Sequence, residues 1–290
     1  THFTSTFNLP SIQYYLWLLA NIRKYNLVIL TSYFYPMSWL TALVCIFRRI
    51  PFCVAPRGEL KSVATQKNRL KKMLFHYLFL KHVYRFAKFY WITADQEVEE
   101  SRKLLNKNIP IEVIPNYIHI NSSPIQRQAA LEKKNILFLG RLDPIKAIEN
   151  LIMAYLSISD ELRARHHLLI VGSGNDTYIQ SLRDIASADL GVKFIGHVEG
   201  AEKDRFLRDA KVLVLPSFSE NFGNVVLEAL EQSTPVIASV HTPWSELNDY
   251  HAGYWVPNDP DSLSGAITAI ADLSDDQYLA MAHSSRKLLE

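Results

Sequence analysis

The stretch VLVLPSFSENFGNVVLEAL, residues 212–230, decides the fold. Its first four residues are all apolar, which reads as a strand covered on both faces, since a strand with one wet face alternates apolar and polar residues. A turn led by Pro216 follows, and a helix is expected over 224–231. Strand, turn and helix in immediate succession are one half of a parallel crossover unit.

The same succession recurs on either side. Further short strands are expected at 135–139, 168–171, 193–195, 236–238 and 254–256, with helices at 147–157, 178–188, 201–209 and 261–271 between and after them. That alternation predicts a doubly wound parallel sheet. The first half repeats it less regularly, with strands expected at 27–31, 52–55, 89–93 and 112–114 and a basic, aromatic helix over about 67–85. A polar segment carrying Pro124, residues 121–134, reads as the linker. Two domains follow, 1–130 and 131–290, which suits a chain of 290 residues.

Composition excludes several classes. The chain is 48% hydrophobic and 21% charged, an ordinary globular balance with no sign of disorder or repeats. Its two cysteines, Cys45 and Cys53, make neither a disulfide framework nor a metal knuckle, and both read as core residues of a protein in a reducing compartment. The most apolar run, 33–47, is interrupted by Pro36 and is too short to span a bilayer. The start, THFTSTFNLP, has neither a basic head nor a cleavable apolar core and does not read as a signal peptide. The net charge of +2 conceals an asymmetry: residues 1–130 carry 17 Lys and Arg against 6 Asp and Glu, the rest 14 against 23. An excess of +11 in the first half suggests an anionic partner such as lipid headgroups, phosphate or nucleic acid, or attraction between the halves.

In the opening stretch, the helix that begins at Asn224 would turn unpaired backbone N–H groups and a positive dipole end toward an anion such as a diphosphate. Gly223 would let backbone approach it closely. Glu220 and Glu228 suit neutral hydroxyls, since a carboxylate oxygen accepts hydrogen bonds from a sugar or ribose. A second loop, FLGRLDPIK, follows the strand at 135–139 and carries Arg141 and Lys146, two cations placed to hold the same diphosphate. The turn Val171-Gly172-Ser173-Gly174 resembles part of a dinucleotide fingerprint without its full spacing. Asp259-Pro260-Asp261 is formally a metal-type acidic pair, but Asp261 is better read as a helix cap. The ten histidines show no ligand spacing, and no serine-hydrolase elbow is present.

Together these residues resemble the family 4 glycosyltransferases, which have the GT-B fold of two Rossmann-like domains facing each other across a cleft. The anchors are Gly140-Arg141 with Lys146, the 171–174 turn, Phe194-Ile195-Gly196, Pro216-Ser217, Glu220-Asn221-Phe222-Gly223, Glu228-Ala229, Pro235-Val236-Ile237-Ala238 and Val113-Ile114-Pro115-Asn116. The resemblance implies a retaining hexosyltransferase using a nucleoside diphosphate sugar, with Arg141 and Lys146 on the diphosphate, Glu220 on the transferred sugar and Glu228 on the ribose. Gly140, Gly172 and the backbone of Asn221, Phe222, Gly223 and Asn224 would complete the donor site. Its implied acceptor is a hydroxyl of a glycan or lipid-linked molecule in bacterial surface polysaccharide or lipopolysaccharide synthesis, without metal, cofactor or nucleic acid.

Several departures accompany the resemblance. Relatives begin with a further strand and glycine-rich loop and end with a helix returning to the first domain, so the chain reads as truncated at both ends. Where many relatives place a histidine before glycine, this chain has Pro56-Arg57-Gly58-Glu59. Arg57 cannot act as a base and is instead a candidate for the acceptor side. Lys67, Arg69, Lys71 and Lys72 precede an apolar helix, on which Phe75, Phe79, Val83 and Phe86 should face the core and Leu70, Leu74 and Leu78 form a second row. That pattern suits a cytoplasmic protein held peripherally on the inner face of an anionic membrane. Two other readings stay open: a sugar-nucleotide epimerase of the same fold and a non-catalytic nucleotide-sugar-binding protein.

Overall fold

The computed structural model describes residues 12–61, 69–120, 131–187 and 189–289. The chain forms two compact units, Thr1–Asn116 and Tyr117–Glu290. The division falls before the expected boundary at 130/131, because Ile118 already packs against the core of the second unit. Residues 121–130 of the expected linker lie outside the described residues.

In the first unit the strands β1 (Val28–Leu30), β2 (Phe52–Val54), β3 (Tyr90–Ile92) and β4 (Ile111–Val113) form a parallel sheet in that order. Its core takes Leu30, Phe52, Val54, Tyr90 and Ile92 from the sheet and Ala42 and Cys45 from the helix Pro36–Arg48. Pro36 does not interrupt the apolar run. It opens this helix at the first position, where its missing N–H would have had no partner anyway.

The basic, aromatic segment also departs from one regular helix. It runs as Arg69–Phe75, a π segment His76–Leu80, and Lys81–Tyr84. Wider π turns rotate the face that follows them. His76, Leu80, Val83 and Tyr84 are buried, and Phe75 and Phe79 pack half-buried against the same core, as their stripe predicted. Phe86, expected in the core, lies beyond the helix end and is 50% exposed. Leu70, Leu74 and Leu78 form the second row as expected, and that row is open to solvent.

The second unit holds β5 (Asn135–Leu139), β6 (Leu168–Val171), β7 (Val192–Gly196), β8 (Ala210–Leu215), β9 (Val236–Ser239) and β10 (Gly253–Val256). The sheet is parallel, in the order β10-β9-β8-β5-β6-β7. Side chains alternate across it because successive residues of a strand point to opposite faces. Ile136, Phe138, Leu168, Ile170, Val212 and Val214 enter one core, and Leu137, Leu169, Val171, Leu213 and Leu215 enter the other. Burial of each such side chain contributes about 1.5–3 kcal/mol, so the sheet is held from both faces.

The helices sort by face. Ile148–Ser157 and Asp176–Ala186, which follow β5 and β6, cover the first face through Leu151, Ile152 and Leu182. Gly200–Asp209 and Asn224–Glu231, which follow β7 and β8, cover the second through Leu207, Val226 and Leu230. The chain therefore changes face between the neighbouring strands β5 and β8. The loops at their carboxyl ends diverge there and leave a crevice, the usual ligand position in a doubly wound sheet.

Candidate functional site

Both motif loops leave the sheet at that crevice. After β5, the Gly140 amide donates to the Val171 carbonyl (3.0 Å) and the Leu142 amide to the Ser173 carbonyl (2.8 Å). The loops after β5 and β6 thus run side by side. Gly172 is required for this approach: its φ is +145°, and a Cβ there would sit 1.8 Å from the Gly140 carbonyl oxygen. Asp143 then caps a single turn, Pro144–Lys146, by accepting from the Ile145 amide at 3.1 Å. The Phe218 amide donates to the Ile145 carbonyl (2.8 Å), which ties this turn to the loop after β8.

Lys146 and Glu220, expected on diphosphate and sugar respectively, meet in an ion pair that is mostly shielded from solvent. Ser217 Oγ donates to the same Glu220 oxygen at 2.7 Å. Arg141 is different. Its side chain is 70% exposed and lies 3.6 Å from Asp143, and such an open pair is worth about 0–1 kcal/mol. A weak pair leaves the guanidinium available to an arriving anion.

Asn224–Glu231 begins at Gly223, whose φ of +80° suits glycine and whose place a Cβ would crowd, 3.0 Å from Leu215. Phe222 is held in the core, with its ring 5.1 Å from that of Trp244 and its carbonyl accepting from Trp244 Nε1 at 2.6 Å. Any ligand contact from Phe222 is therefore through its backbone. The first-turn N–H groups of this helix point along its axis, where the dipole favours an anion.

Beside these loops lies a cavity of about 610 Å³, lined by Gly140, Arg141, Gly172 and Glu228 of the expected residues. Ser173, His197, Glu199 and Lys203 also line it. Lys203 Nζ donates to Glu228 Oε1 at 2.8 Å, each side chain being about one-quarter exposed. This volume suits a small-molecule ligand. A register shift between β6 and β7 at Ile170/Val171 brings the chain past Gly196 to His197 on the cavity wall.

Sequence reading missed Lys203. It sits on a helix reading GAEKDRFLRD, where nothing singles out one charge among several. Arg57 lies in the first unit, in the turn after β2. The cap of Pro260–Ala271 is Asp259, not Asp261: Asp259 Oδ1 accepts from the Ser262 amide at 2.8 Å, which holds its carboxyl below the usual range. Asp261 falls within the first turn, because proline at the first helical position moves the cap one residue ahead of it. Among the described residues no group of three or more His, Cys, Asp or Glu is placed to hold a metal ion.

Fold and site together define a class, the two-domain α/β proteins of GT-B type. Residues 121–287 match the glycosyl transferases group 1 family, and the chain belongs to it. It is 37% identical over 147 residues to an uncharacterized glycosyltransferase of Methanocaldococcus jannaschii, covering 50% of this chain and 37% of that protein. It is 28% identical over 172 residues to an Escherichia coli O-antigen chain mannosyltransferase B, covering 57% and 45% respectively. The chain thus spans less than half the length of these curated relatives. Its fold superposes with a TM-score of 0.75, at 16% identity, on an Anabaena protein, HepE, crystallised with UDP and glucose, covering all of this chain and 79% of that one.

Proposed function

We propose that the crevice between β5 and β8 binds a nucleoside diphosphate hexose. The chain then carries the donor site of a retaining glycosyltransferase, which transfers the hexose to a hydroxyl of a glycan or lipid-linked acceptor in bacterial surface polysaccharide synthesis. One observation carries this reading: a cavity of nucleotide size is walled by the exposed cation Arg141 and the carboxylate Glu228, at the carboxyl ends of β5, β6 and β7. The mannosyltransferase and UDP-bound proteins among its likenesses support it.

In this reading Arg141, Lys146 and the N-terminus of Asn224–Glu231 neutralise the departing diphosphate inside a low-dielectric site. Glu228 accepts the ribose hydroxyls and Glu220 those of the hexose, while the backbone of Gly140, Gly172, Asn221, Phe222, Gly223 and Asn224 borders the phosphates and sugar. The acceptor oxygen bonds to the anomeric carbon as the bond from that carbon to the phosphate oxygen breaks. The electron pair leaves with the diphosphate, and a donor phosphate oxygen takes the acceptor proton. Charge neutralisation comes from the side chains and the helix dipole, so no divalent metal or cofactor is required. The setting would be cytoplasmic, at the inner face of a membrane.

The full-length protein should consume donor only when acceptor is supplied, and should do so in excess chelator. Isomerisation of donor without acceptor would contradict transfer. Loss of activity in chelator, restored by Mg or Mn, would overturn the metal-free mechanism.

A further inference from the structure

The carboxyl edge of the first unit's sheet holds a second constellation, one that the donor reading does not use. In the turn after β2, Arg57 has φ +52° and Gly58 φ +80°. The first of these is a left-handed conformation that side chains other than glycine rarely adopt. Two carboxylates hold the turn in this shape. Glu97, fully buried, accepts from the Gly58 amide at 2.6 Å and from Thr93 Oγ1 at 3.3 Å. Glu59 accepts from Ser32 Oγ (2.7 Å) and from the amides of Tyr33 (2.6 Å) and Phe34 (2.9 Å).

The result is a placed guanidinium. Arg57 Nη1 donates to Asn116 Oδ1 at 2.6 Å, and its carbon lies 5.2 Å from the centroid of the Trp91 ring. Trp91 is itself fixed, its Nε1 donating to the Ile114 carbonyl at 2.7 Å. Among the described residues Arg57 has no carboxylate partner. A neutral amide and an aromatic face orient the cation without neutralising it, and the remaining N–H groups of the fork match the oxygens of a phosphoryl group. Strain in such a residue persists where the surroundings over-determine it, commonly at ligand clamps.

We propose that Arg57, oriented by Trp91 and Asn116 and preset by Glu59 and Glu97, binds a phosphoryl group at the carboxyl edge of the first unit's sheet. Two ligands could bring that group, the nucleoside diphosphate of the donor or a phosphate carried by the acceptor.

Calorimetric titration of the chain with UDP and, separately, with a short-chain alkyl phosphate distinguishes them. Arg57→Ala should weaken at least one of the two by tenfold or more, and Arg57→Lys should restore only part, because an ammonium lacks the fork. A loss for UDP assigns the donor, and a loss for the alkyl phosphate assigns the acceptor. Arg57→Gly separates folding from binding: relief of the positive φ should let it melt at or above the parent temperature while binding falls as in Arg57→Ala. If the parent binds neither probe, or if Arg57→Gly binds both as the parent does, the proposal is overturned. Lys146→Ala serves as the control for the donor site. If alkyl phosphate binding depends on Arg57 while UDP does not bind the parent, the donor reading fails and this one stands.

Discussion

Lys146 and Glu220 act as one unit, and their substitutions should show it. Lys146→Ala removes a cation and also leaves Glu220 facing the diphosphate without compensation, so it should weaken nucleoside diphosphate binding more than Arg141→Ala does. Each loss is of the order of 1.5–3 kcal/mol, the worth of a charged hydrogen bond, and calorimetry reads both. Glu220→Gln should lower turnover while leaving affinity for the free nucleotide nearly intact. In the Lys146→Ala, Glu220→Gln double variant the affinity loss should be smaller than in Lys146→Ala alone, because the carboxylate charge that the ammonium offset is also gone. Equal loss of UDP affinity in Glu220→Gln would contradict its assignment to the sugar. At this scale the sequence was informative where loops follow strands: Arg141 and Lys146 fall in the loop after β5 and Glu220 in the loop after β8, and of the four expected side chains Arg141 and Glu228 line the cavity while Lys146 and Glu220 pair with each other. It was silent on pairing. Neither the Lys146–Glu220 contact nor the Lys203–Glu228 contact follows from spacing, since each joins residues from separate crossover units. Nothing in the order Pro-Arg-Gly-Glu announces a left-handed arginine.

Elements were easier to read where burial is two-sided. β5, β6, β8 and β9 carry short buried apolar runs bounded by turn residues, and the helix 224–231 matches the expected span. Asp160–Arg165 and Asp275–Lys287 were not foreseen. Both start at serine caps, and both are polar enough to read as loop. The π segment is set by packing rather than by local preference and has no sequence signature. Leu70, Leu74 and Leu78 form the open row along this segment, 87%, 62% and 71% exposed, with Lys71, Lys81 and Arg85 beside it. Of the expected basic cluster, Lys67 lies outside the described residues, as does the side chain of Arg69. An apolar row flanked by cations suits an anionic bilayer surface, where each Lys or Arg contributes about 1 kcal/mol. The protein should float with anionic vesicles at low salt, release near ~0.5 M salt as screening shortens to a few Å, and ignore neutral vesicles. Leu74→Ser with Leu78→Ser should abolish flotation while leaving the melting temperature unchanged. Flotation that persists in that variant and in a Lys67, Arg69, Lys71 and Lys72 to Gln variant would remove this surface from the account.

For the whole molecule, charge and stability are linked through the amino edge of the second sheet, away from the crevice. Lys133 is 4% exposed, donates to Thr234 Oγ1 at 2.8 Å, and burial pushes its ammonium down to about 7. Below pH ~7 the group is protonated in both folded and unfolded chains, and folding bears the full penalty of burying it. Between about pH 7 and the ordinary lysine range the unfolded chain holds a proton that the folded one does not, so stability rises with pH. Urea denaturation should show a gain of about 1–3 kcal/mol from pH 7 to 9, and Lys133→Met should flatten that rise. An unchanged slope in the variant would locate the effect elsewhere. Where a nucleotide binds is read directly by hydrogen exchange. With saturating UDP or GDP, amides in 140–146, 172–174 and 197–203 and in the first turn of Asn224–Glu231 should slow together. Protection absent from these segments with both nucleotides, or confined to the amino edge of the sheet, would contradict the assignment of the crevice as the donor site.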